Sequence, residues 1–302
     1  MTSSSNSDRA RPRRSMIYMP SSNARALEKA KTLSADGLIF DLEDAVAPEA
    51  KSSARTAAVA AAKSGAYGNR EVLIRVNGLD TEWIAEDVNA VAASGAHGVV
   101  VPKVNGAEDV RRADQMLRDA GAPDGLALWA MMETPKGIIS AAEIAAGPRL
   151  AGMIAGTADL AKDLHCTHPS DRWPMLSALQ ACVLAARAYG LWVLDGVHVD
   201  LDDELGFEAA CRQGKALGFD GKTLIHPKQI ADANKVFAPS VEDVERARRL
   251  VAAHKEALAA GKGITVVDGR LVESLHVFEA ERLIAAAEMI AGLEQDAVTG
   301  QT

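Results

Sequence analysis

The sequence predicts an α/β fold, a parallel (β/α)₈ barrel of the TIM type, over residues 14–237. Short runs of β-forming residues alternate with longer helical patterns eight times in succession, which is the order expected of a closed barrel. The short runs are largely apolar and do not alternate with polar residues, as is typical of strands buried on both faces. An open, doubly wound sheet is the alternative that the same order allows.

Each of the eight units contributes one strand and one helix to this prediction. The predicted strands are Ser15–Met19, Gly37–Leu42, Val72–Val76, Gly98–Pro102, Leu126–Met132, Leu150–Ala155, Leu191–Asp195 and Gly221–Ile225. The predicted helices are Asn23–Ser34, Glu49–Lys63, Thr81–Ser94, Ala107–Ala120, Lys136–Ala146, Trp173–Tyr189, Asp203–Leu217 and Lys228–Val236. Glycines lie between many of these helices and strands, and left-handed glycines are expected to end helices at Gly37, Gly98, Gly152, Gly190 and Gly218.

The two ends of the chain differ from the barrel. Residues 1–13 are polar and basic with no apolar run behind them, which predicts a disordered tail rather than a signal peptide. Residues 238–302 predict a helix–hairpin–helix extension, with Ser240 capping a helix to about Ala260 and a turn at Asp268-Gly269. A last helix is expected from Leu275 to about Leu293. Since this extension follows the eighth unit, it is free to act as a lid or an oligomerisation element over its own barrel or a neighbour's.

Composition excludes several classes of protein. A net charge of −8 and an isoelectric point near 5.4 argue against nucleic-acid partners, which need a basic face. Apolar runs are too short to span a membrane. Three widely spaced cysteines indicate no disulfide scaffold and fit a cytoplasmic protein. The chain has no P-loop, no G-x-S-x-G elbow and no dinucleotide-binding glycine motif after its first strand.

Ionisable residues follow seven of the predicted strands. In barrels of this kind, function lies where the strands end. From the second strand to the eighth, every strand is expected to deliver such a group to one rim: Asp41, Glu43, Asp44, Arg75, Lys103, Glu133, Asp159, Asp195 and His226. Acids outnumber bases in this set, so a balancing cation is expected.

Glu133 and Asp159 end adjacent strands and are candidate metal ligands. Two carboxylates, with water or substrate completing the shell, suit Mg²⁺, and no histidine pair or thiolate at this rim favours zinc. The alternative makes Glu133 a salt-bridge partner of Arg75 or Lys103. Arg75 itself is the candidate for binding an oxyanion or a carboxylate, because its planar fork donates two hydrogen bonds at once. Its alternative role is to neutralise Asp41 or Glu43 inside the barrel, and the two roles are compatible.

A set of motifs in fixed order gives the chain a family resemblance. They are Asp-Leu-Glu-Asp (41–44), Arg-Val-Asn-Gly (75–78), Pro-Lys (102–103), Met-Glu-Thr (132–134), Gly-Thr-Ala-Asp-Leu (156–160), Asp-Gly (195–196) and Gly-Lys-Thr-Leu-Ile-His-Pro (221–227). Over roughly residues 14–290 the chain resembles the citrate lyase beta-subunit-like branch of the HpcH/HpaI aldolase superfamily, which includes malyl-CoA and citramalyl-CoA lyases.

The resemblance implies a Mg²⁺-dependent enzyme that acts on a malyl-CoA or citramalyl-CoA type thioester, cleaving a carbon–carbon bond to give acetyl-CoA and a 2-oxo acid. It implies that Glu133 and Asp159 bind Mg²⁺ and that Arg75 lies at the thioester carbonyl. Asp41, Glu43 and Asp44 would hold metal-bound water and Arg75. The residues that would contact substrate or CoA are Tyr18, Pro20, Ser21, Lys29, Asp41, Arg75, Gly156, Thr157, His226 and Pro227.

Two positions depart from the family pattern. The turn after the first strand reads Pro-Ser-Ser and is followed by Asn23, where some relatives have a basic residue, which puts the contacts to the adenine end of CoA in doubt. In the lid, relatives supply an aspartate, often to a neighbouring subunit, as the catalytic acid or base; here Glu273 takes its place. A lid acting in trans implies a homotrimer or homohexamer.

The segment around Glu273 is most similar to a (3S)-malyl-CoA thioesterase branch, in which the thioester is hydrolysed to malate and CoA. Thioester hydrolysis is therefore the first alternative to carbon–carbon cleavage. The second alternative is a citrate lyase subunit that works on acyl carrier protein.

Overall fold

The computed structural model describes residues 11–259, 261 and 264–299. The chain divides into a barrel unit, Arg13–Phe237, and a second unit that begins at Ala238, here called the C-terminal unit. Of the predicted tail, residues 1–10 lie outside the described residues. None of the described helices is both long enough and apolar enough to cross a membrane.

Eight parallel strands close into a barrel in which each strand pairs with its neighbours in sequence and β1 pairs with β8. The strands are β1 Ser15–Pro20, β2 Gly37–Asp41, β3 Glu71–Arg75, β4 Gly98–Val101, β5 Ala127–Met132, β6 Leu150–Ala155, β7 Trp192–Asp195 and β8 Gly221–Leu224. The predicted barrel is confirmed, and each strand lies within one residue of its predicted bounds.

The helices of the barrel unit follow the predicted order with two differences. They are α1 Ala24–Ala30, α2 Lys51–Lys63, α3 Ile84–Ala92, α4 Ala107–Asp119, α5 Pro135–Ile139, α6 Ala141–Ala145, α7 Thr157–Asp163, α8 Leu176–Ala188, α9 Glu204–Leu217 and α10 Ile230–Phe237. The single helix predicted over Lys136–Ala146 is divided at Ser140. The small-residue turn predicted at Gly156-Thr157-Ala158 instead begins helix α7.

Two apolar layers hold the barrel together. Large side chains fill its interior, and a second layer lies between the strands and the helices. The interior layer consists of Met16, Ile39, Leu73, Val100, Trp129, Met131, Ile154 and Leu194. Arg13 is buried with this unit: its guanidinium pairs with Glu71 and lies 4.5 Å from the centroid of Trp192. Arg13 therefore belongs to the barrel, although the sequence placed it in the tail.

The glycine prediction is right at two positions and wrong at three. Gly190 and Gly218 have φ of 69° and 103° and end helices. Gly37, Gly98 and Gly152 lie inside or at the start of strands with ordinary φ, where the missing side chain makes room for a neighbour. At Gly152 that neighbour is the indole ring of Trp129, which is fully buried.

Replacing Gly152 with alanine should therefore destabilise the barrel. The added methyl group would overlap the Trp129 ring in a packed interior, and overpacking of this kind costs about 1–3 kcal/mol in free energy of unfolding. Urea unfolding followed by circular dichroism would measure the loss. Gly125→Ala is the matched control, because nothing lies within 4 Å of the added atom. Equal stability of both variants would contradict this packing argument.

The C-terminal unit has its own small core. Its elements are α11 Val241–Ala259, the antiparallel strands β9 Thr265–Val267 and β10 Arg270–Val272, and α12 Ser274–Thr299. The Ser240 hydroxyl accepts a hydrogen bond from Asp243 N at 3.0 Å, as predicted for its cap. Asp268 and Gly269, both with positive φ, form the predicted turn. The helices and the hairpin pack around Ala247, Val251, Val272, Val277 and Ala280.

Candidate active site

A cavity of about 390 Å³ lies where the barrel strands end, a size usual for a small-molecule site. Its wall combines carboxylates, one guanidinium and apolar side chains. The lining residues are Tyr18, Pro20, Asp41, Asp44, Ala45, Arg75, Met131, Glu133, Ala155, Gly156, Thr157, Ala158, Asp159, Val197, Thr223 and Ile225.

Strand register places four of these side chains in the cavity. Side chains of a strand alternate between its two faces, so a residue two positions beyond an interior residue also points inward. The pairs of interior residue and cavity residue are Met16 and Tyr18, Ile39 and Asp41, Leu73 and Arg75, and Met131 and Glu133. The apolar interior thus ends in a polar layer at the cavity floor.

Arg75 is held in the cavity by a bidentate ion pair. Its Nε and Nη2 donate to the two carboxylate oxygens of Asp41, each at 2.7 Å. Its Nη1 lies 3.0 Å from Glu43 Oε2 and 3.5 Å from Asp44 Oδ2. Arg75 therefore pairs with Asp41 and Glu43, as its alternative role predicted. Its guanidinium also lines the cavity.

Tyr18 covers one face of Arg75. The guanidinium carbon lies 4.7 Å from the centroid of the phenol ring, within cation–π range. Burial raises the pKa of Tyr18 far above its usual range, so the phenol stays neutral and its hydroxyl faces Met131 Sδ at 3.8 Å. The ring and the Asp41 carboxylate together leave Arg75 little freedom to move.

Two lysines fix the segment Asp41–Asp44 from other sides. Lys103 Nζ donates to Glu43 Oε1 at 2.7 Å. Lys51 Nζ, which is buried, donates to the carbonyl oxygens of Leu42 and Glu43 at 2.7 and 2.6 Å. Glu43 is buried among these contacts and does not line the cavity, whereas Asp44 does. Burial raises the pKa of Glu43, opposed by Arg75 and Lys103.

Glu133 is the most deeply buried carboxylate of the cavity wall after Asp41, with 2% of its surface exposed. Its Oε1 accepts a hydrogen bond from the main-chain N of Lys103 at 2.7 Å. Burial, with the nearby charges of Glu43 and Asp159, raises its pKa to about 7. Among the described residues no basic side chain comes within 4.0 Å of it, because Arg75 and Lys103 pair with Asp41 and Glu43 instead. The alternative that made Glu133 their salt-bridge partner is thus wrong.

Asp159 lies in the first turn of α7, on the cavity wall beside Glu133. Gly156 precedes this helix, and a side-chain carbon there would overlap Glu133 at its Cβ and Oε2. The absence of a side chain at residue 156 therefore leaves room for the Glu133 carboxylate between β5 and α7. Thr157 begins the helix, and its buried hydroxyl makes no hydrogen bond with any described residue.

These residues fit a hard divalent cation such as Mg²⁺. Glu133 is a buried carboxylate without a cationic partner among the described side chains, and Asp159 offers a second one on the same wall. No three His, Cys, Asp or Glu side chains in the described part of the chain gather closely enough to bind a metal ion together. Two carboxylates would then be the protein's share of the ligands, and Mg²⁺ commonly keeps several water or substrate oxygens.

Three strands do not deliver their ionisable groups to the cavity wall, contrary to the prediction: Lys103 after β4, Asp195 of β7 and His226 after β8. Asp195 is fully buried and points away from the cavity, with Oδ2 2.9 Å from Lys222 Nζ and Oδ1 2.6 Å from Arg172 Nη1. The reason is the alternation of side chains along a strand: Leu194 points into the barrel, so the next residue, Asp195, points outward. His226 is exposed, and its Nδ1 accepts from Lys228 N at 3.2 Å as a helix cap.

Three other predicted contacts of the barrel unit, Ser21, Lys29 and Pro227, are not part of the cavity wall. Pro227 begins the short helix that His226 caps, and Lys29 is exposed on α1. Ser21 is buried, and its main-chain N donates to the carbonyl oxygen of Asp41 at 3.2 Å. Glu273 belongs to the C-terminal unit, where its side chain is exposed and its main-chain N donates to His276 Nδ1 at 3.0 Å. Asn23, the other departure from the family pattern, accepts from Arg25 N and Ala26 N and caps α1.

Sequence reasoning missed several residues of the site. Lys51 lies at the start of α2 and gave no signal, because its partners are main-chain carbonyls. Met131, Val197, Thr223 and Ile225 also line the cavity. Of these, Met131 could have been found by counting two positions along β5 from the interior residue Trp129.

Comparison with known proteins assigns the family. Residues 14–227 match the model of the HpcH/HpaI aldolase/citrate lyase family. A (3S)-malyl-CoA thioesterase of Cereibacter sphaeroides is 49% identical, over 93% of this chain and 97% of that protein. An L-malyl-CoA/beta-methylmalyl-CoA lyase of the same species is 36% identical, over 93% of this chain and 96% of the lyase.

A solved structure agrees with the sequence relatives. The protein CitE of Mycobacterium tuberculosis, crystallised with magnesium, acetoacetate and coenzyme A, is 30% identical with a TM-score of 0.73, over 93% of this chain and 99% of that one. A barrel fold, a polar cavity at the strand ends and nearly full-length matches to enzymes all lead to one assignment. The chain is an enzyme and belongs to the HpcH/HpaI aldolase/citrate lyase family.

Proposed function

We propose that this enzyme uses Mg²⁺ to hydrolyse a malyl-CoA type thioester to malate and CoA. The observation that carries the proposal is a single cavity with two carboxylates able to hold a cation and a fixed guanidinium able to bind an oxyanion. The 49% identity to a (3S)-malyl-CoA thioesterase, against 36% to a malyl-CoA lyase, favours hydrolysis over cleavage. The magnesium and coenzyme A bound to CitE of Mycobacterium tuberculosis support the choice of metal and substrate class.

Glu133 and Asp159 would hold the metal. Bound Mg²⁺ would polarise the oxygen atoms that it contacts and balance the buried negative charge. Glu133 is held in place for this role by the Lys103 N–H and by the space at Gly156. Water and substrate oxygens would complete the shell.

Arg75 would bind the thioester oxygen. In hydrolysis the oxygen of a water molecule bonds to the thioester carbon, negative charge grows on the carbonyl oxygen, and the carbon–sulfur bond then breaks. The proton released by the water ends on the sulfur of CoA. A fixed donor that faces the growing charge stabilises the transition state more than the ground state. Asp41 and Tyr18 keep Arg75 in that orientation.

Carbon–carbon cleavage is the second candidate, because it would place charge on the same oxygen. There the hydroxyl of the malyl group loses its proton, the bond between the hydroxyl-bearing carbon and the methylene breaks, and the electron pair forms the enolate of acetyl-CoA. The enolate then takes up a proton at its methylene carbon, which gives acetyl-CoA beside glyoxylate. Arg75 would serve both reactions. The 36% identity to the lyase over nearly the whole chain supports carbon–carbon cleavage as this second candidate.

One assay separates the candidates. The purified enzyme is incubated with malyl-CoA and Mg²⁺, and free thiol and glyoxylate are measured together, with EDTA as the control. We expect thiol without glyoxylate. Glyoxylate without thiol would establish the lyase and reject hydrolysis. The same assay with citramalyl-CoA as the substrate tests the larger acyl group, and there pyruvate is measured in place of glyoxylate. Turnover of neither CoA ester, with activity on an acyl carrier protein thioester, would favour a citrate lyase subunit.

Glu273 is inferred to supply the acid or base that moves the proton. It is a carboxylate with an exposed side chain in the C-terminal unit, at the position that the family resemblance gives to a catalytic aspartate. Glu273→Gln should lower kcat by about 10²–10⁴-fold, the usual contribution of general acid–base catalysis, with little change in KM. Glu279→Gln, an exposed site on α12, is the control. A Glu273→Gln enzyme of unchanged kcat would exclude Glu273 from catalysis.

A homotrimer or homohexamer is the assembly we infer, with Glu273 acting on a neighbouring subunit. Light scattering in solution measures this directly. Mixing Glu273→Gln subunits with inactive Arg75 variant subunits should restore activity if the carboxylate acts in trans. A monomeric mass, or no restored activity in mixed oligomers, would contradict the arrangement.

A further inference from the structure

Lys103 contacts both ends of the candidate site. Its main-chain N donates to Glu133 Oε1 at 2.7 Å, and its side-chain Nζ donates to Glu43 Oε1 at 2.7 Å. Glu43 Oε2 in turn lies 3.0 Å from Arg75 Nη1, an ion-pair contact without hydrogen-bond geometry. A continuous series of polar contacts therefore runs from the carboxylate proposed to hold the cation to the guanidinium proposed to bind the oxyanion.

The backbone of Lys103 has a left-handed conformation, with φ of 54°. Residues other than glycine, asparagine and aspartate rarely adopt this conformation. Where they do, the backbone is strained, and such strain tends to lie at functional sites. The conformation turns the N–H of residue 103 toward Glu133 directly after β4 ends. Glycine would meet the backbone requirement more easily, so the presence of lysine at this position points to a use for its ammonium group.

We propose that Lys103 is a positioning residue that sets the relation between Glu133 and Arg75. Its main chain orients Glu133, and its ammonium group holds Glu43 against Arg75. The proposal rests on the proposed function, which gives Glu133 and Arg75 their roles. It assigns Lys103 no contact with substrate.

Alanine and glycine variants separate the main-chain part from the side-chain part. Both lose the ammonium group, whose bond to Glu43 is expected to hold the strained backbone of residue 103 in the wild type. Without that bond, glycine still accepts φ of 54° freely, whereas alanine carries the strain with nothing to hold it. We expect Lys103→Gly to bind Mg²⁺ as the wild type does, by isothermal titration calorimetry. Lys103→Ala should bind it about tenfold more weakly, as is usual when the partner of a metal ligand is lost. A purely electrostatic role predicts the opposite, because removing a positive charge would strengthen cation binding equally in both variants.

Steady-state kinetics test the role of the Lys103 ammonium group. Lys103→Gly and Lys103→Met should each lower kcat by about tenfold or more with KM within about threefold, because Glu43 no longer braces Arg75. Lys103→Arg keeps a cation at residue 103 and should recover most of the lost kcat. Thermal unfolding is the check for a merely structural effect, and Lys103→Gly should melt at or above the wild-type temperature. Lys63→Ala, exposed at the end of α2, is the control.

Crystal structures of the two variants keep the test independent of metal binding. Glu133 Oε1 should stay within hydrogen-bond distance of residue 103 N in Lys103→Gly and leave it in Lys103→Ala. Equal positions of Glu133 in both variants, or wild-type kcat in Lys103→Gly, would overturn the proposal. A wild-type enzyme that binds no Mg²⁺ would reject the proposed function instead, and the position of Glu133 would still decide whether Lys103 orients it.

Discussion

Arg75→Lys should lower kcat/KM by about 10²–10³-fold, the loss seen when one oxyanion donor is removed. The charge of residue 75 is kept, but an ammonium group cannot reproduce the two parallel bonds to Asp41 or the stacking on Tyr18. The donor would therefore no longer point in a fixed direction into the cavity. Steady-state kinetics with the thioester substrate would measure the effect, which should fall mainly on kcat.

The comparison variants separate loss of function from loss of folding. Arg75→Ala would leave the Asp41 carboxylate buried and unpaired, which costs about 3–5 kcal/mol in free energy of unfolding, so Arg75→Lys is the cleaner probe. Arg112→Lys changes an ion pair with Asp80 at the surface and should leave the kinetics unchanged. If Arg75→Lys keeps kcat/KM within about threefold of the wild type, the oxyanion role is wrong.

The fold could be predicted from sequence because one physical pattern repeats eight times. Strands buried on both faces must be apolar throughout, and helices that cover a barrel must be amphipathic, so each unit carries its own signal. The pattern did not predict two details of the helices. The division at Ser140 has no signal in the composition, and α7 is only seven residues long. Local signals of that length are weak compared with the tertiary contacts around them.

The site could be predicted in part, and strand parity explains where the prediction succeeded. Asp41, Arg75 and Glu133 each lie two positions beyond an interior residue, so they point into the cavity. Asp195 follows an interior residue directly, and its charge is satisfied by Lys222 and Arg172 behind the barrel wall. The inward position of Leu194 is thus the physical reason that Asp195 does not belong to the site.

Other features of the site depend on backbone geometry that composition does not encode. The left-handed conformation of Lys103 and its N–H bond to Glu133 arise from how β4 ends beside β5. Strand register likewise decides that Arg75 forms its ion pair with Asp41 and not with Glu133. Asp41 and Arg75 are direct partners in the β2–β3 ladder. Residue types alone made both partners equally reasonable.

Glu133→Gln should abolish tight Mg²⁺ binding while making the metal-free enzyme more stable. Loss of a partner of a metal ligand costs about 10–100-fold in affinity, and loss of the ligand's own charge should cost at least as much. Burial raises the pKa of Glu133 to about 7, so above that pH the folded protein holds an ionised carboxylate that it disfavours. Removing that charge at pH 8 should raise the free energy of unfolding by about 1–3 kcal/mol.

The sign of the pH dependence provides the sharper test. Because the folded-state pKa of this acid lies above its unfolded value, stability is lost as pH rises from about 4.5 to 7 and changes no further above that. The stability gained by Glu133→Gln, measured in EDTA, should therefore be full at pH 8 and vanish near pH 4.5. Wild-type affinity for Mg²⁺ should fall about tenfold per pH unit below pH 7, because the proton and the metal compete for one carboxylate.

The exposed Glu143→Gln on α6 serves as the control, since it removes the same charge from the surface and should change neither stability nor metal affinity. A Glu133→Gln variant that is less stable than the wild type in EDTA at pH 8 would show that the ionised carboxylate is satisfied by the protein alone. In that event the cavity would need no cation, and the metal site proposed at Glu133 and Asp159 would be wrong. Greater stability together with lost Mg²⁺ binding would instead indicate that the fold tolerates a buried charge which the metal stabilises.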